Sequence, residues 1–257
     1  MKILLSDHFT YGRLFRFTLP SIVMMVFTSI YGVVDGFFVS NFAGKTAFAS
    51  INLIMPFIII IGSLGFMVGT GGTGLVSRIL GEGDEKKAIK YFSMLIYLTI
   101  IMGIVLSVIG VVFMRPVSIL LGATDAMIED CVLYGRIVIS FTAAYMLQNV
   151  FQSFLVAAEK PNLGLIATLA AGFTNMILDA VFVGVFRWGI TGAALATGIS
   201  QCIGGLLPLI YFIRPNNSKL RLTKASFELR PILQACANGS SELMSNVSAS
   251  VVGIVYN

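Results

Sequence analysis

The residues that carry most enzyme and metal chemistry are scarce in this chain. There is one histidine, His8, and there are three cysteines, Cys131, Cys202 and Cys236, in 257 residues. The cysteines have neither metal-ligand spacing nor an evident disulfide partner, and a lone His near the N-terminus builds no site, so both residue types read as structural. Charge is scarce too. Asp, Glu, Lys and Arg make up 11% of the chain against 57% hydrophobic residues, and the mean hydropathy of +0.92 lies outside the range of soluble domains. None of the seventeen Lys and Arg residues lies deep inside an apolar run. These properties describe an integral membrane protein.

Apolar stretches of roughly 20 or more residues, the length that crosses a hydrocarbon core of about 30 Å, occupy about 17–40, 51–77, 91–113, 132–158, 162–186 and 188–213. A seventh begins near Pro231 and is still running at Asn257. The runs are continuous rather than alternating, which excludes a β-barrel, and an α-helical span satisfies its own backbone in lipid. The fold class is therefore an all-α membrane protein.

The net charge of +5 and pI near 9.2 raise the question of nucleic acid, and the placement of the charges answers it. With a cytoplasmic N-terminus, one side receives Lys2, Arg13, Arg16, Arg78, Lys86, Lys87, Lys90, Lys160, Arg214, Lys219, Arg221, Lys224 and Arg230, and the other only Lys45, Arg115, Arg136 and Arg187. That asymmetry is the positive-inside pattern and excludes a nucleic-acid partner. It places the chain in the cell inner (plasma) membrane as a multi-pass protein with its N-terminus in the cytoplasm. Residues 1–16 lack the apolar segment and small-residue cleavage site of a signal peptide, so the first span is expected to be retained.

Two connections stand out. In Ser77-Arg-Ile-Leu-Gly-Glu-Gly-Asp-Glu-Lys-Lys-Ala88, Gly81 and Gly83 are placed to end the second helix and Asp84 to cap the third. The basic stretch 214–230 reads as a cytoplasmic linker between lobes. This gives residues 1–213 as a six-helix lobe, 214–230 as the linker and 231–257 as the incomplete first helix of a second lobe. Six spans return the chain to its starting side, and Leu14-Phe-Arg-Phe-Thr-Leu-Pro-Ser21 aligns faintly with Leu233-Gln-Ala-Cys-Ala-Asn-Gly-Ser240, as in a parallel repeat. The expectation is half of a protein with about twelve spans.

Three carboxylates, Asp35, Asp179 and Glu242, fall within the spans. An acid in the bilayer core costs about 3 kcal/mol on insertion scales, so it is usually kept for a function. With no basic residue at similar depth, the balancing charge must be a proton, a metal cation or a cationic substrate. Asn175 and Asp179 are four residues apart and stack on one helical face, and Thr197 adds a hydroxyl in the small-residue run Gly192-Ala-Ala-Leu-Ala-Thr-Gly198. With Asp35 these groups supply two carboxylates, an amide oxygen and a hydroxyl, the ligand type hard cations such as Na⁺ prefer. The same carboxylates could hold a proton instead. The plainer alternatives are a neutral Asp179 bonded to Asn175 to join helices, Asp35 as a helix-end residue in the interface, and an interfacial Glu242. The run Gly69-Thr-Gly-Gly-Thr-Gly74 has no preceding strand and no Gly-Lys-Ser/Thr, so it reads as close helix packing rather than a phosphate loop.

The segments Tyr31-Gly-Val-Val-Asp-Gly-Phe-Phe-Val-Ser40, Leu80-Gly-Glu-Gly-Asp84, Asn175-Met-Ile-Leu-Asp179 and Gly189-Ile-Thr-Gly-Ala-Ala-Leu-Ala-Thr197 closely resemble the multidrug and toxic compound extrusion (MATE) exporters, bacterial multidrug-efflux type, over essentially the whole chain. The resemblance implies the N-terminal six-helix lobe of a 6+6 helix transporter plus the start of helix 7. It implies a non-enzymatic antiporter that exports organic cations and drugs against Na⁺ or H⁺, with membrane lipid and the C-terminal lobe as partners and no cofactor besides the coupling ion. It places the cation and coupling site, Na⁺ included, on Asp35, Asn175, Asp179 and Thr197, a further substrate or proton site on Glu242, and a helix 1 bend at Pro20. The nearest alternative is a lipid or oligosaccharide-lipid flippase of related architecture, which calls for phosphate-binding Arg or Lys in the cavity. An intramembrane aspartyl protease needs Tyr-Asp and Gly-x-Gly-Asp, whereas Asp35 follows Val34 and Asp179 follows Leu178. A non-transporting membrane subunit is the remaining class.

Overall fold

Eight helices, with no strand among the described residues, make up a computed structural model that describes residues 11–224 and 227–256. The leader with Lys2 and His8, and Asn257, lie outside the described residues, as do the side chains of Arg13 and Arg16. The helices are α1 (Tyr11–Phe38), α2 (Lys45–Gly81), α3 (Glu85–Leu120), α4 (Ile128–Ser140), α5 (Thr142–Ala157), α6 (Pro161–Asp179), α7 (Gly189–Ile213) and α8 (Leu229–Tyr256). Two π-helical segments, Val39–Ala43 and Ala180–Val185, extend α1 and α6. Five helices are long and apolar enough to cross a membrane, and α4 with α5 forms a sixth, bent span. The protein is a multi-pass membrane protein.

Helix boundaries follow local chemistry. α2 ends at Gly81, Gly83 turns the chain at φ +86°, and the Asp84 carboxylate accepts from the Lys87 N–H at 3.1 Å to cap α3. The fourth apolar stretch forms two helices, α4 and α5, which meet at a 56° bend. No Pro causes it. The Ser140 hydroxyl donates to the Arg136 carbonyl and the Thr142 hydroxyl to the Ile139 carbonyl, both at 2.7 Å, which draws these carbonyls away from the helical ladder. The Phe141 ring at the bend packs over Gly198 of α7, where a Cβ would lie 2.8 Å from its Cγ. α8 starts at Leu229 and runs 28 residues to Tyr256, and the polar run from Ser240 through Ser250 lowers its mean hydropathy below that of the other long helices.

Two cores fill the bundle. Near the basic end, Phe92, Phe151, Phe154 and Phe212 interlock, with the Phe92 ring centroid 5.0 Å from Phe154 and 4.9 Å from Phe212. Leu220 of the connecting stretch is fully buried in this core. The Leu222 N–H donates to the Phe212 carbonyl and the Thr223 N–H to the Ser93 hydroxyl, so the stretch before residue 225 is fastened to the lobe. The second core gathers Ile54, Met114, Tyr134, Ile139 and Val183. The glycine run does pack helices. A Cβ on Gly69 would lie 2.9 Å from the Val150 Cα, and one on Gly71 2.6 Å from the Gly239 nitrogen of α8. Pro20 is buried within α1, which continues through it as helix.

Candidate functional site

A stripe of small residues brings the two acids together. Along α6, Gly164, Ala167, Thr168, Ala171, Gly172, Asn175 and Asp179 recur every three or four positions and are all buried, one continuous face of a helix. Its small end receives α1. A Cβ on Gly164 would meet the Met24 sulfur at 3.6 Å, the Thr168 hydroxyl donates to that sulfur at 3.4 Å, and Gly172 lies under the Phe27 and Tyr31 rings. With α1 held at this distance, Asp35, one turn beyond Tyr31, comes to Asp179, and the two carboxyls are electrostatic neighbours.

Both acids adjoin a widened turn. Asp179 is the last residue of α6 before the π-helical segment Ala180–Val185, and Asp35 lies one turn before Val39–Ala43. π-helical turns are rare and frequently mark functional sites. The second is wedged against α7, where a Cβ on Gly192 would lie 3.0 Å from the Phe182 Cβ, and closed by Phe182 stacked on Trp188 at 5.0 Å between centroids.

The polar atoms are conspicuous for what they lack. Asp179 is fully buried and Asn175 is 3% exposed. Asp35 Oδ1, Asn175 Oδ1, both Asp179 carboxylate oxygens and the Tyr134 hydroxyl are buried with no hydrogen-bond partner, five of the eight such side-chain atoms among the described residues. Buried polar atoms are normally satisfied, and each orphan costs about 1–3 kcal/mol. The orphans are oxygens, four of them on Asp and Asn side chains, which suits a hard cation or a shared proton. None of the ion pairs found joins these acids to a Lys or Arg; the four lie at Arg78–Glu82, Lys90–Glu228, Arg115–Glu129 and Lys219–Glu159.

Of the residues expected from sequence, Asp35, Asn175 and Asp179 share this site. Thr197, half-buried on α7, joins it through Tyr134, whose hydroxyl is its neighbour. Its carbonyl accepts from the Ser200 hydroxyl at 2.7 Å. Glu242 stands apart, exposed on α8, a helix that packs on α2. Tyr134 was missed by sequence reasoning. It is 1% exposed and faces Asp35, Asp179 and Thr197 from α4. Its signal was a phenol in an apolar run, whose hydroxyl needs a partner at that depth. Tyr31 likewise neighbours Asp35 and Tyr145.

Known proteins share this architecture. The chain is 27% identical over 248 residues to "Multidrug export protein MepA" of Staphylococcus haemolyticus, covering 96% of this chain and 55% of that protein. It is 25% identical over 250 residues to the same-named protein of Staphylococcus aureus, with 96% and 55% covered. The chain thus spans about half the length of the curated relatives it matches. Among solved structures, a MATE protein in the bent conformation superposes with a TM-score of 0.83 at 21% identity, over 92% of this chain and 53% of that one. A MOP superfamily transporter from Pyrococcus furiosus, described as having a binding pocket of reverse polarity that suggests a different function, superposes with a TM-score of 0.85 at 21% identity, over 92% and 52%. The MatE family model matches residues 20–181, which run from Pro20 within α1 to just past the end of α6 and include both acids, and the chain belongs to the MatE family.

Proposed function

We propose that this chain is the N-terminal lobe of a secondary antiporter in the inner membrane, N-terminus cytoplasmic, which exports organic cations in exchange for Na⁺ or H⁺. The observation that carries the reading is the cluster of buried, partnerless oxygens on Asp35, Asn175 and Asp179. Two carboxyls this close repel strongly when both are charged, so a proton or cation between them is strongly favoured, and any movement of α1 against α6 alters that affinity. A ligand that binds two arrangements of the helices unequally shifts the balance between them, and that inequality is all that coupling requires. Tyr134 and Thr197 extend the oxygen set to α4 and α7, and Pro20, which removes one backbone donor inside α1, is the position where α1 would bend.

Fold alone leaves the cargo open, as the Pyrococcus furiosus structure illustrates. What supports a cationic cargo here is that, among the described residues, no ion pair joins half-buried Asp35 or buried Asp179 to a base, whereas a flippase for phosphate-bearing lipids would require basic residues in the cavity. Drugs, membrane lipid and a C-terminal lobe are the partners in this reading, in which Glu242 on α8 is a further substrate or proton site. The test is export of ethidium from vesicles containing the whole gene product. Efflux follows an imposed Na⁺ or proton gradient and falls at least tenfold in Asp35→Asn. Equal export of a neutral isostere of the dye, unchanged by Asp35→Asn, overturns the proposal.

A further inference from the structure

At the end of the bundle opposite Asp35, the C-terminus of α2, the N-terminus of α3 and the start of α8 enclose a cleft of about 620 Å³. Its charged wall is Arg78, Glu82, Lys87, Glu228 and Arg230, and its apolar floor includes Leu75 and Ile79. Both acids are already committed. Arg78 Nε bonds Glu82 at 3.0 Å, and Glu228 is bonded by Lys90 from behind the cleft and by the Tyr91 hydroxyl at 3.3 Å. The Lys90 ammonium holds the Glu228 carboxyl below its ordinary range, so that acid stays charged and paired. Lys87 and Arg230 are the surplus. Lys87 leans on the Tyr91 ring, 5.8 Å from its centroid, and none of the ion pairs among the described residues involves Arg230. From Leu229 and Arg230 an apolar groove of about 480 Å³ continues along α8 past Leu233 to Ala237.

We infer that this cleft binds the phosphate of an anionic membrane phospholipid, with the headgroup between Lys87 and Arg230 and an acyl chain along the α8 groove. The surplus of two bases selects an anion. A guanidinium offers two parallel donors to phosphate oxygens, and an ammonium offers a point charge. The adjoining groove selects an anion that carries a hydrocarbon chain. Basic pockets between spanning helices at the membrane surface are a recognised way to hold such headgroups. The inference needs α2 and α3 to cross the membrane and the first turns of α8 to lie at its surface. It is independent of the coupling ion and of the exported cargo.

Native mass spectrometry of the whole gene product with phosphatidylglycerol, phosphatidylcholine and inorganic phosphate tests it. Phosphatidylglycerol is retained at least tenfold better than phosphatidylcholine, and millimolar inorganic phosphate does not displace it. In Lys87→Gln with Arg230→Gln the preference is lost, each base contributing about fivefold. Lys87→Arg with Arg230→Lys keeps it, as does Arg136→Gln at the other end of the bundle. The two bases are exposed, so an unchanged melting temperature accompanies the loss. Equal retention of the two lipids, a preference untouched by the double glutamine variant, or ready displacement by inorganic phosphate each overturns the inference.

Discussion

Gly71→Ala tests the tightest helix contact in the structure. α8 crosses α2 where Gly71 faces Ala235 and Gly239. A Cβ on Gly71 would collide with the Ala235 carbonyl oxygen and lie 2.6 Å from the Gly239 nitrogen and 2.9 Å from the Ala235 carbonyl carbon. All three are backbone atoms that no rotamer change can remove. Carbon atoms rest at about 3.5–4.0 Å, so the helices must separate by about 1 Å at the crossing, and overpacking of this kind costs about 1–3 kcal/mol. Against that, Gly→Ala in a helix interior gains at most about 1 kcal/mol of intrinsic propensity. Gly74, one turn along the same helix, has nothing within 4 Å of its would-be Cβ, so Gly74→Ala collects the gain without the clash. The expected result is a lowered melting temperature in detergent for Gly71→Ala and an unchanged or raised one for Gly74→Ala. Gly239→Ala, whose Cβ would lie 2.7 Å from the Met67 carbonyl carbon, behaves like Gly71→Ala. Equal melting temperatures for Gly71→Ala and Gly74→Ala refute the close crossing.

If Asp179 and Asn175 bind one cation together, Asp179→Asn abolishes gradient-driven efflux without lowering the melting temperature, and Asn175→Ala weakens efflux in the same direction. Losses that simply add in free energy in the double variant show two independent sites. Single cysteines at Glu85 and Asn217 are labelled only from the cytoplasm, and one at Asp125 only from outside. Labelling of Asp125 from within reverses the orientation drawn from the basic residues.

Sequence made the acids legible because a carboxylate in an apolar run is costly and so is usually kept for a function, and the spacing of Asn175 and Asp179 follows from helical geometry alone. Tyr134 was not legible for the opposite reason: in a membrane span a tyrosine reads as core or interface until its neighbours are known. The bend at Phe141 lacks the usual signature of proline or glycine. It comes from two hydroxyls redirecting carbonyls and from a partner glycine, Gly198, distant in sequence. The connecting stretch was read by its charge, which hid Leu220, the residue that fastens it to the core. The glycine run announced close packing, but only tertiary structure could say that Gly69 serves α5 and Gly71 serves α8.

The π-helical segments were likewise silent in sequence, and their position bears on the site. A π turn inserts an extra residue into a helix, so the face after Asp179 is rotated relative to the small-residue stripe before it. The stripe from Gly164 to Asp179 packs on α1, α6 also packs on α7, and the turn continues the α7 contact at Gly192. Asp179 therefore stands between α1 and α7 where the helical register shifts. Apolar residues there would satisfy packing at lower cost than five orphaned oxygens. In the proposed antiporter, a fold that retains them gives up stability at the place where a cation between α1 and α6 would bias their relative position.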